Sequence, residues 1–581
     1  MMSLRGQGVL LISVATAGAV VVSSVLQQAL RQRRPELQHT SSAALLRRTA
    51  RFDPDPSRRR IARLILANQG DVSAARRQWL LRGQGWGDSL LSPVVLKQQA
   101  LAARELGQQD RSDRHWRELI QRFPAAAPSA DALYYLGQPG SDFHQQLLQR
   151  FAAHPAALAA AVDWDRQEQD PRAGLHLALW GARWPGALSA LERACNSGGS
   201  DLTDPQREQL AAALAQQGDL DAAQDCLGDL EPVQQTSREL LGMEEEPPLS
   251  PQQQDWEKSR SLLLERDWSG ASVALEQQLK QPLTPPLLAR VRFWLGLSAW
   301  EQGKQEQARQ WWQRVLKDYP FGYYGWRASE RLMQPPGDLP AAAAPEGGLL
   351  PAPLDQLRTL GLPLEAWEQW RTQRGGQPPE SAQQLWQEGT LRLGVGDRWI
   401  GLEQLDRAHL LGAAQGLSQQ VLLEQHRHPR DFDDLLNQAA QGENLDPDLL
   451  LGLARQESRL TPTVRSSAGA VGLLQLLPST AAELEEPAPS EDDLLQPERN
   501  APLGARYLSQ MLAAAGGNPF LATASYNAGP GAAGSWKNDD LDSLPELWVE
   551  RIPYPETRLY VKKVLGNRWT YALLGERLTN H

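Results

Sequence analysis

Apolar residues recur three and four positions apart through most of residues 58–333, as in Ile61, Leu64 and Ile65. This spacing places them on one face of an α-helix. No long alternating run of Val, Ile and Thr interrupts the pattern, so strands are not expected. The sequence therefore predicts a mainly α protein over this region.

A weak repeat lies within the helical pattern. Its unit is a small residue at a turn, a large apolar residue on the next helix and a Pro stop. The unit occurs as Gly107, Trp116 and Pro124 and again, at the same offsets, as Gly303, Trp312 and Pro320. Gly218 begins a partial third copy. Hairpins of this kind bury their apolar faces by stacking, so we expect an α-solenoid of tetratricopeptide-like hairpins. The alternative is an irregular helical domain with chance matches.

The first thirty residues differ from the rest. Gly8–Leu26 contains no charged residue, and its length approaches the ~20 residues that span a bilayer as a helix. We favour an uncleaved membrane anchor over a signal peptide cleaved after Ala15-Thr16-Ala17, because the apolar run continues beyond that site. The arginines that follow the segment favour a cytoplasmic location for that flank, against export of the chain.

Composition limits the classes of protein. A chain of 581 residues with net charge −10 implies several domains and has no basic field for nucleic acid. Its two cysteines, Cys195 and Cys226, exclude a zinc site of four thiolates. They are interpreted as ordinary thiols, and pairing in an oxidising compartment is the alternative. Neither a cofactor nor a metal site is predicted, because His426, His428 and Asp431 are better explained as a solvated turn.

Candidate chemistry lies after Asp446-Pro447, which predicts a helix start and a helix running to about Leu460. The apolar stripe of that helix is Leu450, Leu453 and Ala454, and Glu457 continues it. Burial and the C-terminal end of the helix dipole both favour the protonated carboxyl, as a general acid needs. The alternative is a Glu457 that turns outward and pairs with an adjacent arginine.

Two further segments carry polar residues in apolar surroundings. Gln475 is the polar residue of an apolar run that follows several glycines and serines, so it must hydrogen-bond if it is buried. Asn518-Pro519 predicts the start of a short helix that ends at Tyr526 and Asn527. Side chains at such a helix break can face a cleft.

Four motifs follow one another in the last part of the chain, namely Glu457-Ser458, GLLQLLP at 472–478, SYNAGP at 525–530 and IPYPETRLYV at 552–561. In this order they resemble the catalytic domain of soluble lytic transglycosylases. The resemblance covers about a quarter of the chain, from Leu445 to Leu574, and implies a goose-type-lysozyme-like α-helical domain. The N-terminal helices resemble the superhelical region of the large members of this family.

The resemblance implies roles for six residues. Glu457 matches the sole catalytic acid and base of the family, and the residues that match its substrate cleft are Ser458, Gln475, Tyr526, Asn527 and Tyr560. The sequence departs from the family at Leu474, where Met is usual, and at Ser525, where Ala is usual. Leu keeps the apolar volume of Met, so we expect a functional cleft.

The implied reaction is non-hydrolytic cleavage of the β-1,4 bond from N-acetylmuramic acid to N-acetylglucosamine in peptidoglycan, which leaves a 1,6-anhydro end. No metal or cofactor is required. A hydrolytic muramidase and an inactive cell-wall-binding scaffold are the alternatives. Because this substrate lies outside the cytoplasmic membrane, we expect the periplasm or cell envelope, with residues 8–26 as anchor. Cell-wall-synthesis partners are not identified by the sequence.

The expected order of domains follows from these patterns. It is an anchor or signal peptide at 1–30, a basic linker at 31–57, the solenoid at 58–333, a Pro-, Gly- and Ala-rich linker at 334–356, a helical linker domain at 357–440 and the catalytic domain at 441–581.

Overall fold

A computed structural model describes most of the chain. The described residues are 37–69, 72–82, 90–152, 154–168, 170–180, 192–196, 203–216, 220–231, 251–374, 377–466 and 468–578. They are mainly helical and contain no strand, only isolated bridges that join Val471 to Arg465 and to Leu476. The predicted mainly α class is confirmed for this part of the chain.

The helices of the first half are short and follow one another closely. They are α1 Ala43–Phe52, α2 Pro56–Ala67, α3 Ala74–Leu81, α4 Ser92–Glu105, α5 Gln109–Arg122, α6 Pro128–Leu136, α7 Asp142–Arg150, α8 Pro155–Glu168, α9 Pro171–Trp180, α10 Asp204–Gln216, α11 Leu220–Leu227, α12 Pro251–Leu264, α13 Trp268–Gln278, α14 Pro285–Glu301, α15 Gln305–Asp318 and α16 Gly322–Leu332.

The second half contains the remaining described helices. They are α17 Ala352–Thr359, α18 Pro363–Arg374, α19 Ala382–Gly394, α20 Arg398–Leu410, α21 Leu417–Arg427, α22 Asp433–Gly442, α23 Pro447–Ser458, α24 Pro478–Leu484, α25 Glu491–Leu494, α26 Pro497–Ala514, α27 Pro519–Ala528, α28 Pro530–Ser535, α29 Asp540–Ser543, α30 Pro545–Arg551 and α31 Pro555–Leu578.

The chain divides into two compact units. One unit extends to Leu119 and includes Gln356–Leu362, and the other consists of Ile120–Asp355 and Pro363–His581. The second unit therefore joins the last helical hairpins with the C-terminal domain. The finer domain boundaries drawn from the sequence stay predictions.

The two full copies of the repeat have the predicted local structure. Gly107 and Gly303 adopt positive φ, 71° and 77°, at the turns that follow α4 and α14. Trp116 and Trp312 are both buried on the next helix. Large side chains at this place thus pack between the helices of a hairpin, as the sequence indicates. The turn at Gly218 lies outside the described residues.

Two expectations concern segments at the margins of the helical array. From Pro335 to Pro351 the chain is non-helical, as its Pro and Gly content predicts. The apolar segment 8–26 lies outside the described residues. Among those that are described, no helix combines the length and apolarity needed to cross a membrane.

The cysteines are not free thiols. Cys195 and Cys226 form a disulfide bond. The preferred interpretation of two separate thiols was wrong, because the sequence spacing gave no sign that α11 lies beside Cys195. Cys195 and Cys226 border a small apolar cluster that includes Leu210 and Leu214 of α10.

The histidine turn is also more buried than its charged sequence suggests. His428 is buried and contacts Glu424 and Asn567, while His426 accepts a hydrogen bond from the Trp386 indole over 3.0 Å. Asp431 forms an ion pair with Arg398. The prediction of a solvated turn was wrong for His428, because helix α31 covers this side chain.

The core of the C-terminal domain gathers around two helices, α23 and α31. Leu450 and Leu453 of α23 pack in one cluster with Val561 and Leu565 of α31. Tyr323 of α16 belongs to the same cluster. We refer to helices α14, α15 and α16 together as the last hairpin. The last hairpin and the C-terminal domain therefore share a continuous apolar core.

Candidate active site

Helix α23 carries Glu457 to the edge of the core. Asp446 caps the helix by accepting a hydrogen bond from the Asp448 N–H over 2.9 Å, and Pro447 occupies the first turn. The helix ends at Arg459, which has a φ of 49°. Start, end and buried stripe match the sequence prediction. Glu457 is half-buried, in line with that stripe.

The Glu457 carboxyl faces inward. Its pKa is about 8, because burial raises it strongly, a hydrogen bond from the Tyr560 hydroxyl to Oε1 lowers it, and the negative charge of Glu556 raises it. The adjacent Arg455 and Arg459 do not pair with it. Instead they form ion pairs with Asp406 and Glu403, respectively. Glu457 is therefore protonated at neutral pH, as a general acid must be.

Two buried tyrosines line the position of Glu457. Tyr560 of α31 donates to the carboxyl, and Tyr526 of α27 donates its hydroxyl to the Leu474 carbonyl over 2.9 Å. Burial and the nearby Glu457 charge raise the pKa of both tyrosines well above 10. Both hydroxyls therefore keep their protons and act as hydrogen-bond donors.

The segment from Gly472 to Leu476 forms a tight loop beside α23. The Ser458 hydroxyl donates to the Leu473 carbonyl over 2.7 Å, and Ser458 is fully buried. The place of Ser458 in the substrate cleft stays a prediction, and the structure shows its hydroxyl bonded to the loop. This bond ties the loop to the helix that carries Glu457.

Gln475 sits at the tip of this loop with a φ of 47°. Its amide nitrogen donates to the carbonyls of Val464 and Gly472 over 3.0 and 2.9 Å. The predicted need for hydrogen bonds is thus confirmed. The side chain is half-buried, and in the described part of the chain its Oε1 accepts no hydrogen bond. This oxygen remains an acceptor for a ligand.

Asn527 lies in the last turn of helix α27. The helix stops at the next residue, Ala528, and is followed by Gly529, which has a φ of 83°. The Thr557 hydroxyl donates to Asn527 Oδ1 over 2.6 Å, and Thr557 is buried while Asn527 is half-buried. This bond fixes which way the amide points. The Asn527 NH₂ group is then held as a donor at the helix break.

The sequence did not single out three residues that shape the site. They are Asn500, Thr557 and Glu556. Asn500 is fully buried and bonds the loop on both sides, accepting from the Leu474 N–H over 2.7 Å and donating to the Val471 carbonyl over 2.9 Å. Asn500 is the fourth residue of α26 and precedes the apolar Ala501, so an amide there that faces the core must bond elsewhere, and this is a signal that could have found it.

Comparison with known proteins agrees with the geometry. Residues 434–548 match the family described as "Transglycosylase SLT domain", and residues 98–126 and 290–321 match the tetratricopeptide repeat. Both full repeats predicted from the sequence fall within the latter ranges. Residues 434–548 are therefore similar to the transglycosylase SLT domain, and this match confirms the resemblance stated from the motifs.

Curated relatives match over the same region. A soluble lytic murein transglycosylase of Salmonella typhimurium is 36% identical over 148 residues, which is 24% of this chain and 23% of the relative. A peptidoglycan transglycosylase of Escherichia phage T7 is 33% identical over 109 residues, 18% of this chain and 8% of the relative. The matched part thus spans about a quarter or less of these relatives.

Solved structures overlap more of the chain at lower similarity. A lytic transglycosylase of Pseudomonas aeruginosa, in an inactive mutant form, covers 90% of this chain and 78% of its own, with 22% identity and a TM-score of 0.42. The 70-kDa soluble lytic transglycosylase of Escherichia coli covers 99% and 98%, with 19% identity and a TM-score of 0.41.

Proposed function

We propose that the chain is a lytic transglycosylase that cleaves the glycan strands of peptidoglycan, with Glu457 as its acid and base. The supporting observation is the carboxyl of Glu457, which is half-buried, has a pKa of about 8 and accepts a hydrogen bond from Tyr560. A carboxyl with this pKa carries its proton at neutral pH, and cleavage of a glycosidic bond begins with such a protonated acid.

In the proposed reaction Glu457 donates its proton to the oxygen between N-acetylmuramic acid and N-acetylglucosamine. The substrate's own N-acetyl carbonyl stabilises the resulting cation, so no second enzymic carboxylate is needed. Glu457 then accepts the proton of the muramyl C6 hydroxyl as that oxygen attacks the anomeric carbon. The product carries a 1,6-anhydro bond, and the carboxyl is protonated again.

The other predicted residues are assigned supporting roles in this proposal. Tyr560 holds the carboxyl in place and stabilises its charged form between the two proton transfers. The free Oε1 of Gln475 and the oriented NH₂ group of Asn527 offer an acceptor and a donor to the acetamido and hydroxyl groups of the sugars. Tyr526 fixes the loop that carries Gln475 through its bond to the Leu474 carbonyl.

The test is digestion of purified peptidoglycan by the full chain and by Glu457→Gln. We expect the parent to release fragments with 1,6-anhydro ends, which mass spectrometry separates from hydrolysed ends by one water. Glu457→Gln keeps the shape and the Tyr560 contact, so cleavage should fall at least a thousandfold while the fold persists, about the rate loss of several kcal/mol in the barrier.

Glu498→Gln is the matched control, because Glu498 is exposed on α26 of the same domain. It should cleave at the parent rate. Reducing ends in place of anhydro ends would identify a muramidase. Binding of peptidoglycan without any cleavage by the parent would identify a scaffold. Cleavage by Glu457→Gln at the parent rate would refute the assignment of the acid.

The proposed compartment is the periplasm, with residues 8–26 as an anchor in the cytoplasmic membrane. The disulfide between Cys195 and Cys226 supports an oxidising compartment, because thiols stay reduced in the cytosol. The substrate requires the same side of the membrane. A reporter fused after Asp355 should be active only when exported, and carbonate extraction of membranes distinguishes an anchored chain from a released one.

A further inference from the structure

A cavity of about 220 Å³ lies between the last helical hairpin and helix α31. Its walls come from α14, from the start of α16, from α21 and from the part of α31 that follows Tyr560. Glu457 is not among the residues that line it. The cavity is therefore separate from the candidate active site.

Basic side chains dominate the cavity wall. Four of them reach it, namely Arg290, Arg427, Lys562 and Lys563, whereas Glu424 is the one acidic side chain that lines it. Burial lowers the pKa of the two lining histidines, His409 and His428, so they add no positive charge at neutral pH.

Two of the four cations are already neutralised. Arg427 forms an ion pair with Glu424 over 2.7 Å and another with Asp406 over 2.8 Å. Lys562 forms an ion pair with Glu550 over 2.8 Å. In the described part of the chain, Arg290 and Lys563 pair with no carboxylate. An excess of positive charge thus faces the cavity.

Arg290 has a buried donor without an acceptor. Its guanidinium lies over the Trp256 ring, 4.2 Å from the centroid, and its Nε has no hydrogen-bond partner among the described residues. The hydroxyl of Tyr323, another residue of the cavity wall, is buried and has no hydrogen-bond partner in the described part of the chain. Buried donors without acceptors are costly, so this group of donors is suited to a ligand that brings acceptors.

We propose that this cavity binds a small oxyanion, a carboxylate or a phosphate group, between Arg290 and Lys563. Planar guanidinium and ammonium groups together with hydroxyl donors are the groups that proteins use for such anions. The volume of about 220 Å³ is roughly 15 to 20 times the 10–15 Å³ that one water requires, so a ligand of several heavy atoms fits. Lys563 is exposed, which leaves a route of entry.

The position of the cavity gives the bound anion a structural consequence. Arg290 belongs to the last hairpin and Lys563 to the catalytic helix α31, so one anion would bridge the two. Asn567, another wall residue, donates to the Gly452 carbonyl of α23 over 3.3 Å. Occupation of the cavity would therefore stabilise the contact of α31 with both the hairpin and the helix that carries Glu457.

The test is isothermal titration of the full chain with inorganic phosphate, acetate and the dipeptide D-alanyl-D-alanine, at ionic strength held constant with chloride. Phosphate and acetate represent free ions, and the dipeptide represents the carboxylate of a peptide attached to a glycan. We expect saturable binding of at least one probe. Arg290→Gln and Lys563→Gln should each weaken it about tenfold or more, because a charge-assisted bond is lost.

Lys280→Gln is the matched control, since Lys280 is exposed and lies outside the cavity wall. It should bind as the parent does. Lys563 is exposed, so its variant should fold, and unchanged glycan cleavage without ligand verifies this. Absence of saturable binding, or equal binding by Lys563→Gln and the parent, would overturn the proposal and leave a water-filled cavity. Because the readout is binding, its failure is separate from failure of the proposed reaction.

Discussion

Three influences set the pKa of the Glu457 carboxyl, two that raise it and one that lowers it. Substitutions can separate the contributions of its two neighbours. Burial and the charge of Glu556 favour the protonated form, while the hydrogen bond from Tyr560 favours the charged form. Their balance places the pKa at about 8. Since the proposed first step needs the proton, activity should be retained below this pH and lost as the pH rises through it.

The first residue-scale prediction uses the two neighbours of Glu457 in opposite directions. Glu556→Gln removes a negative charge and should move the alkaline limb of the kcat/KM profile to lower pH. Tyr560→Phe removes the hydrogen bond to the charged form and should move it to higher pH. The measurement is the pH profile of glycan cleavage, in which rates fall about tenfold per unit above the limb.

The profile also identifies the titrating group. Glu498→Gln serves as the control and should leave the limb in place. If Glu556→Gln and Tyr560→Phe both left it unchanged, the group that titrates would not be Glu457.

A second prediction concerns Thr557, which orients the Asn527 amide. Thr557→Val keeps the shape but removes the donor, so the amide of Asn527 can turn and present the wrong group to the sugar. We expect kcat/KM to fall about tenfold, the cost of roughly 1.4 kcal/mol. Thr557→Ser keeps the hydroxyl and should retain most of the activity. Equal losses in Val and Ser variants would indicate a packing role only.

Single residues show where sequence reasoning reaches its limit. The half-buried position of Glu457 was predictable, because the apolar stripe of α23 ends on this residue. The bond from Thr557 to Asn527 joins residues of two different helices, and no periodicity reports such a pairing. Glu556 was hidden for the same reason, since its influence on Glu457 depends on how α31 crosses α23.

At the scale of elements, the loop from Gly472 to Leu476 depends on backbone that only glycine accommodates. Gly472 has a φ of 87°, and a Cβ there would lie 2.1 Å from the Leu494 carbonyl oxygen. Asn500 then bonds the loop from the other side. The loop carries Gln475, so its shape decides where that amide lies.

The element-scale prediction compares two glycines of this region. Gly469 also has positive φ, 81°, but a Cβ there meets nothing within 4 Å. Gly469→Ala should cost only the conformational penalty, about 1 kcal/mol of unfolding free energy. Gly472→Ala should cost about 3 kcal/mol, because overpacking against backbone adds to that penalty.

Urea denaturation of each variant measures the two free energies. Glycan cleavage should also fall in Gly472→Ala, because the loop must shift. Equal free energies for the two variants would mean that the contact with the Leu494 carbonyl is not present in solution.

At the scale of the whole molecule, ion pairs fasten the last hairpin to helix α30. Glu546 is fully buried and accepts hydrogen bonds from Arg327 over 2.9 Å and from Arg331. These arginines hold its pKa below the usual range despite burial. A more exposed ion pair joins Arg266, which follows α12, to Asp540 of α29.

The prediction at this scale is a contrast between the two pairs. Glu546→Gln leaves two partly buried arginines without a counter-charge and should destabilise the chain by about 3–5 kcal/mol. Arg266→Gln removes a half-exposed partner and should cost about 0–1 kcal/mol. Thermal and urea unfolding provide the measurement. A small effect of Glu546→Gln would show that the hairpin and α30 separate readily.

The overall architecture was predictable because its repeat leaves a regular mark on the sequence. A glycine turn, a buried tryptophan and a proline stop recur at the same offsets in two hairpins. The disulfide of Cys195 and the burial of His428 leave no such mark, since each depends on a neighbour that is distant in sequence. Composition alone suggested polar surroundings for His428 and was misleading.

Gly566 of helix α31 has a consequence for how such chains can be recombined. A Cβ at this position would lie 2.7 Å from the backbone nitrogen of Tyr323 in the last hairpin. Main chain therefore abuts main chain at this point, with no side chain to adjust. A catalytic domain fused to a different helical array would need a helix there whose backbone fits equally closely. The last hairpin and the catalytic domain should therefore be inherited, and engineered, as one unit.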